Sequence, residues 1–98
     1  MLAFLTSAIN ERRTICISYD PGDRTIEPHA LGVGSDGQVL LRAFQTEGAT
    51  LSGESPGWKL FRVDRFNGPP SPVGSFYGPR PGYNRDDRAM KRRIIAQL

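Results

Sequence analysis

Gly57-Trp58-Lys59-Leu60-Phe61-Arg62-Val63-Asp64-Arg65-Phe66 is the stretch on which the fold turns. Side chains alternate along an extended backbone, so Trp58, Leu60 and Arg62 share one side and Lys59, Phe61 and Val63 the other. Phe61 and Val63 suit a core, which leaves Trp58 with Arg62 on the opposite face. The segment reads as a strand from Trp58 to Val63. Asp64-Arg65-Phe66 then makes a single tight turn that folds Arg65 toward Trp58. Asn67-Gly68-Pro69-Pro70 forbids regular structure, because proline lacks the ladder donor. A last short strand covers Val73 to Phe76.

Upstream the same alternation recurs. Val39 to Thr46 carries apolar groups on both faces, as a central strand does, with Arg42 the exception. Ser35-Asp36-Gly37 is a hairpin signal. A strand from about Arg24 to Gly34 precedes it, an edge or a bulged one because Pro28 cannot donate to a ladder. Asp20-Pro21-Gly22-Asp23 is a strong turn. In Thr14 to Tyr19, Ile15, Ile17 and Tyr19 alternate with Thr14, Cys16 and Ser18. Residues 2–12 read as a helix, with Leu2, Leu5 and Ile9 at helical spacing. The polar residues 47–57 read as a long loop.

One helix and about five short strands joined by tight turns predict a small, strongly bent antiparallel sheet or partly open barrel, with the helix capping one end. The chain divides into a β domain over 1–77 and an extension over 78–98. Within the extension, Gly78 to Tyr83 reads as a rigid extended linker. Asn84 is placed to cap a final basic helix, with Asp86 and Asp87 at its start and Lys91, Arg92 and Arg93 in its later turns. Met90, Ile94 and Leu98 would form an apolar stripe on that helix. It would pack on its own barrel or on another chain.

A chain of 98 residues has room for one core. A lone cysteine, Cys16, excludes an internal disulfide and a multi-cysteine zinc site, and suits a reducing cytoplasm. No apolar run approaches the ~18 residues that span a membrane. The net charge of +3 is uneven: residues 1–79 hold 7 basic and 8 acidic side chains, and residues 80–98 hold 6 basic and 2 acidic. Arg80, Arg88, Lys91, Arg92 and Arg93 are therefore candidates for nucleic-acid contacts, although a solvated helix has the same look.

Little points to catalysis. His29 is the sole histidine, no nucleophile elbow is present, and Gly32-Val33-Gly34 lacks the rest of a dinucleotide loop. No metal-ligand spacing occurs, and no cofactor is implied. Binding residues are easier to name. His29 either bonds a neighbouring backbone group or lines a ligand pocket beside Pro28. Arg42 must reach water, Glu27 across the sheet, or an anionic ligand, because an unpaired buried charge is costly. Trp58 either covers the mouth of a barrel or, with Lys59, Arg62 and Arg65, receives a phosphate or a nucleobase.

Three motifs together resemble the WYL domain, a small bacterial ligand-sensing module. They are Ile26-Glu27-Pro28-His29-Ala30-Leu31, Asp36 to Phe44 with its Leu-x-Ala-aromatic continuation, and Lys59-Leu60-Phe61-Arg62-Val63-Asp64-Arg65-Phe66. Val39-Leu40-Leu41 stands where the family has Trp-Tyr-Leu, and Lys59 where arginine is usual. The winged helix that precedes most relatives does not fall within these 98 residues. The resemblance implies an Sm-like or SH3-like barrel with an N-terminal helix. It implies an anionic ligand, a nucleotide or single-stranded nucleic acid, in a basic pocket at or beside His29, Arg42, Lys59, Arg62 and Arg65, and hence a role in transcription regulation. The competing expectation is an adaptor that oligomerises through strand edges or the C-terminal stripe.

Overall fold

The computed structural model describes residues 1–50 and 57–98. In chain order its elements are helix α1 (Leu2–Asn10), strands β1 (Arg13–Tyr19), β2 (Gly22–Val33), β3 (Val39–Gly48) and β4 (Gly57–Arg62), a 3-10 turn at Val63–Arg65, then β5 (Ser71–Ser75) and β6 (Arg93–Gln97). Of the loop expected over 47–57, the first two residues end β3 and the last begins β4. Residues 51–56 lie outside the described residues.

All six strands pair antiparallel in one sheet. The long β2 is its spine. One edge of β2 pairs with β3 along Arg24–Val33; the other pairs first with β1 and then, over Ala30–Val33, with β6. The sheet is not closed: β4 and β5 stand at its two ends and do not pair with each other. β2 is also bulged. Its register against β3 shifts between Pro28 and Ala30, so that His29 is the extra residue. A proline with no amide to give is where a ladder breaks most cheaply.

The two faces of the sheet are covered differently. On one lies α1, where Leu5, Ala8 and Ile9 join Ile15, Ile17, Ile26, Leu31, Leu41, Ala43 and Phe61 in the main core. Burying a side chain such as Phe61 contributes about 1.5–3 kcal/mol. Leu2, expected on the buried stripe, is exposed. On the other face Ala30 and Leu40 meet Met90, Tyr83, Ala89 and Ile94. The C-terminal segment thus covers the face that the helix leaves bare.

The C-terminal helix expected over 84–98 does not form. Asp86 has φ +58, outside the right-handed helical region, and Arg93–Gln97 is extended. An unpaired stretch of β2 competes for this segment, and adjacent Ile94 and Ile95 serve a strand well: Ile94 packs on the second cluster and Ile95 on the first. Gly32 permits the approach, since a Cβ there would lie 2.6 Å from the Arg93 carbonyl oxygen and 2.7 Å from Met90 Sδ. The helical stripe expected to pack on its own barrel or on another chain therefore does not form, and Met90 and Ile94 pack on the chain's own sheet. Nor is Gly78–Tyr83 an extended linker. Pro81-Gly82 forms a turn closed by Tyr83 N–H donating to the Arg80 carbonyl at 3.1 Å, with Gly82 at φ +90.

Candidate nucleotide-binding cleft

An open cleft of about 690 Å³ lies on the face opposite α1. Arg42 of β3 and Trp58 of β4 form one side, and Gly82 to Arg88 form the other. Strand alternation places the first pair. Trp58 is in register with Phe44, two residues from Arg42, so all three share a face.

Aromatic packing holds the base of the cleft. Trp58 and Tyr83 stack with centroids 5.9 Å apart and planes 24° from parallel. Phe44 meets Trp58 edge-on at 5.5 Å. Trp58 Nε1–H donates to the Pro81 carbonyl at 3.0 Å, which pins the turn against the indole. Burial pushes the Tyr83 hydroxyl up from its ordinary value, against the opposing charge of Arg85.

His29 lies beneath the cleft and does not line it. The ring is 0% exposed, enclosed by Trp58 at 4.7 Å, Phe76 at 5.5 Å and Tyr83 at 5.1 Å. Nε2 accepts the Arg80 backbone N–H at 3.1 Å, so Nδ1 carries the proton and donates to the Glu27 carbonyl at 2.8 Å. Burial lowers the pKa of the ring below its ordinary value, outweighing the Glu27 carbonyl and carboxylate, while Arg80 lowers it further. As a direct ligand contact His29 is corrected: a ring with both nitrogens used and no exposed surface has nothing to offer a ligand.

Arg42 does not pair with Glu27. Its Nε donates to Asp87 Oδ2 at 2.6 Å and its Nη2 to Oδ1 at 3.3 Å. Glu27 instead takes Arg80 in the same two-pronged way, at 2.7 and 3.0 Å, and the Arg80 guanidinium also lies 4.5 Å over the Phe44 ring. The bonds to Glu27 raise the pKa of Arg80 above its usual value. Burial pushes the Asp87 carboxyl up, but the Arg42 bond, the Ala89 N–H and the Arg42 charge outweigh it and hold the carboxyl below its ordinary value.

The remaining expected residues do not converge. Arg62 shares the face of Trp58 but is tied to Asp64 at 2.8 Å. Lys59 lies on the opposite face of β4, half-buried. Arg65 lines a separate hollow with Tyr19, Asp20 and Asn67. Among the tail cations Arg88 lines the cleft, whereas Lys91, Arg92 and Arg93 are exposed near the start of β6, with Arg92 beside Gly37. The single cluster of guanidinium groups expected from β3, β4 and the turn is thus divided.

In its place stand residues that sequence reasoning missed: Tyr83, Arg85 and Asp87. Arg85 Nε donates to the Leu98 carbonyl at 2.9 Å. Arg88 makes no hydrogen bond or ion pair with a described residue. Asp86 is occupied by Gln97, its N–H donating to Oε1 at 3.0 Å and its Oδ1 accepting from Nε2 at 3.1 Å. The one signal that pointed here was Pro81-Gly82-Tyr83, a turn that delivers an aromatic to the sheet. Arg24, also missed, is a buried structural cation: its guanidinium bonds the Tyr19 and Asp20 carbonyls and Gln45 Oε1.

Among the described residues no three His, Cys, Asp or Glu side chains gather to hold a metal ion, and no helix is long and apolar enough to cross a membrane. Comparison with known proteins finds no matching family model, no matching curated protein and no matching solved structure.

Proposed function

We propose that this chain is a non-catalytic binding module that takes an anionic ligand with a planar part, a nucleotide or short single-stranded nucleic acid, in the cleft between Trp58 and Arg88. The observation that carries this reading is the pairing of a stacked Trp58–Tyr83 wall with the guanidinium groups of Arg42, Arg85 and Arg88 on one open surface. Aromatic faces stack on bases of any sequence, and arginine forks hold phosphate oxygens. The three motifs that resemble WYL domains support the same class of ligand and a bent, barrel-like sheet. A regulatory role in a bacterial cytoplasm follows from that resemblance.

Trp58 is the only tryptophan, so its fluorescence reports on the cleft alone. Titration with a deoxythymidine pentanucleotide and with cyclic mononucleotides should quench it. The affinity should fall steeply with salt as phosphate counterions are released. Arg88→Ala should weaken binding by about threefold to tenfold, the scale of one lost charge-assisted contact. An unchanged Trp58 signal with every nucleotide at low salt refutes the proposal.

A further inference from the structure

We infer that the turn 84–88 is an internal occupant of the cleft: Asp87 competes with an incoming anion for Arg42, and ligand entry undocks the turn. This rests on the binding reading above and adds its regulation. The bidentate grip of Arg42 on Asp87 is the one a phosphate or carboxylate from outside would take. Arg42 is therefore not vacant; it holds a tethered anion. The pair is only partly closed off, with the Arg42 side chain 28% exposed and that of Asp87 9%. An anion can thus approach the guanidinium before the carboxylate leaves.

The chain on either side of the turn is held in place without Asp87. Upstream, Trp58 and the Arg80 N–H contact with His29 hold the chain; downstream, β6 pairs with β2 and the Leu98 N–H donates to the His29 carbonyl at 2.9 Å. Between the anchors Asp86 sits at φ +58, and its two bonds to Gln97 and the Arg85 bond to the Leu98 carbonyl are the contacts that must open when the turn undocks. Arg85 and Arg88 flank Asp87, so the turn that carries the competitor also carries cations for the ligand. When Asp87 leaves, the same turn can close again over the bound phosphate through those two arginines.

The test uses the full chain and the deoxythymidine pentanucleotide, read by Trp58 quenching and by amide hydrogen exchange. Asp87→Asn keeps the side-chain oxygen that accepts from the Ala89 N–H but gives up the charge. It should tighten binding by about threefold to fivefold, the upper scale of a partly exposed ion pair. Asp86→Asn removes an equal charge from the same cleft without touching Arg42, and should change affinity by less than about twofold because exposed charge is screened. In the unsubstituted protein the pentanucleotide should speed exchange at the Ala89 amide and leave the Leu98 amide unchanged. Equal gains in the two variants, or slower exchange at Ala89 on binding, overturn the competition while the site stands. No quenching in any of the three proteins overturns the site, and the competition with it.

Discussion

Acid should loosen the second face of this protein through a single group. His29 is the sole histidine, so nothing else on the chain has an ordinary pKa between the carboxylates and the α-amino range. Its ring is fully buried among Trp58, Phe76 and Tyr83, with Glu27 and Arg80 the charged neighbours. As neutral imidazole both nitrogens are satisfied. A second proton on Nε2 would face the Arg80 N–H, donor against donor, in a fully buried site. The folded pKa is therefore below the unfolded one. The unfolded chain takes up the proton first, so the stability contributed by neutral His29 is complete above about pH 6.5 and is lost as the pH falls below it. The loss approaches about 1.4 kcal/mol per pH unit, and between pH 7 and pH 5 it cannot exceed about 1.9 kcal/mol, the limit for a ring that stays neutral throughout. Urea unfolding followed by Trp58 fluorescence at pH 7, 6 and 5 should show that decline, and His29→Phe should abolish it. Stability that stays flat from pH 7 to 5, or a folded-state His29 titration at or above 6.5, would refute the reasoning.

Two further perturbations test the packing of the C-terminal segment. Gly32→Ala should destabilise by about 1–3 kcal/mol in urea titration, the usual cost of overpacking. Alanine would otherwise favour the strand by roughly 0.5–1 kcal/mol, but its methyl would meet the backbone oxygen of Arg93, which moves only if β6 moves. Arg42→Met should leave Asp87 buried without its partner, at a cost of about 1–3 kcal/mol at pH 7. The sign of the acid response should then reverse. With Arg42 present the lowered Asp87 pKa gives stability that is held above about pH 3.9 and lost below it. Without Arg42, burial outweighs the remaining Ala89 N–H bond and raises that pKa, and the deficit of the variant should shrink as the pH falls toward 4. A deficit independent of pH would show that the pair contributes nothing electrostatic.

The elements up to Ser75 were legible because each rests on a local rule. The helix followed from its apolar spacing, and the hairpins from Pro21 and from Gly37, which sits at φ +82. The faces of β4 followed from alternation around a fully buried Phe61. The bulge was foreseeable at Pro28, although not that it would hand its extra place to His29. The tail was illegible for a physical reason. Asn84 to Leu98 has the caps and charges of a helix, and propensity is a weak prior against a long-range partner. What decided its form was the open edge of β2 at Ala30–Val33, which no local pattern in residues 84–98 reveals.

The same long-range term explains the divided site. Glu27, His29, Arg42 and Trp58 stood out because each is a polar or amphipathic side chain in an otherwise apolar strand, and such a group must have a partner. The inference to a partner was sound, and for His29 a bond to a neighbouring backbone group, found at Glu27, was among the readings; the partner of Arg42 was sought in Glu27, water or a ligand and lies instead in Asp87. Each of the four is met by a group from residues 80–87: the Arg80 guanidinium on Glu27, the Arg80 amide on His29, the Pro81 carbonyl on Trp58, and the Asp87 carboxylate on Arg42. A buried polar demand read from sequence specifies the chemistry of the partner but not its address. Here the chemistry was a donor for an imidazole, an acceptor for an indole and an anion for a guanidinium. A nucleotide could supply the last two, which is why a segment that already does so marks both where a ligand would sit and what it would have to displace.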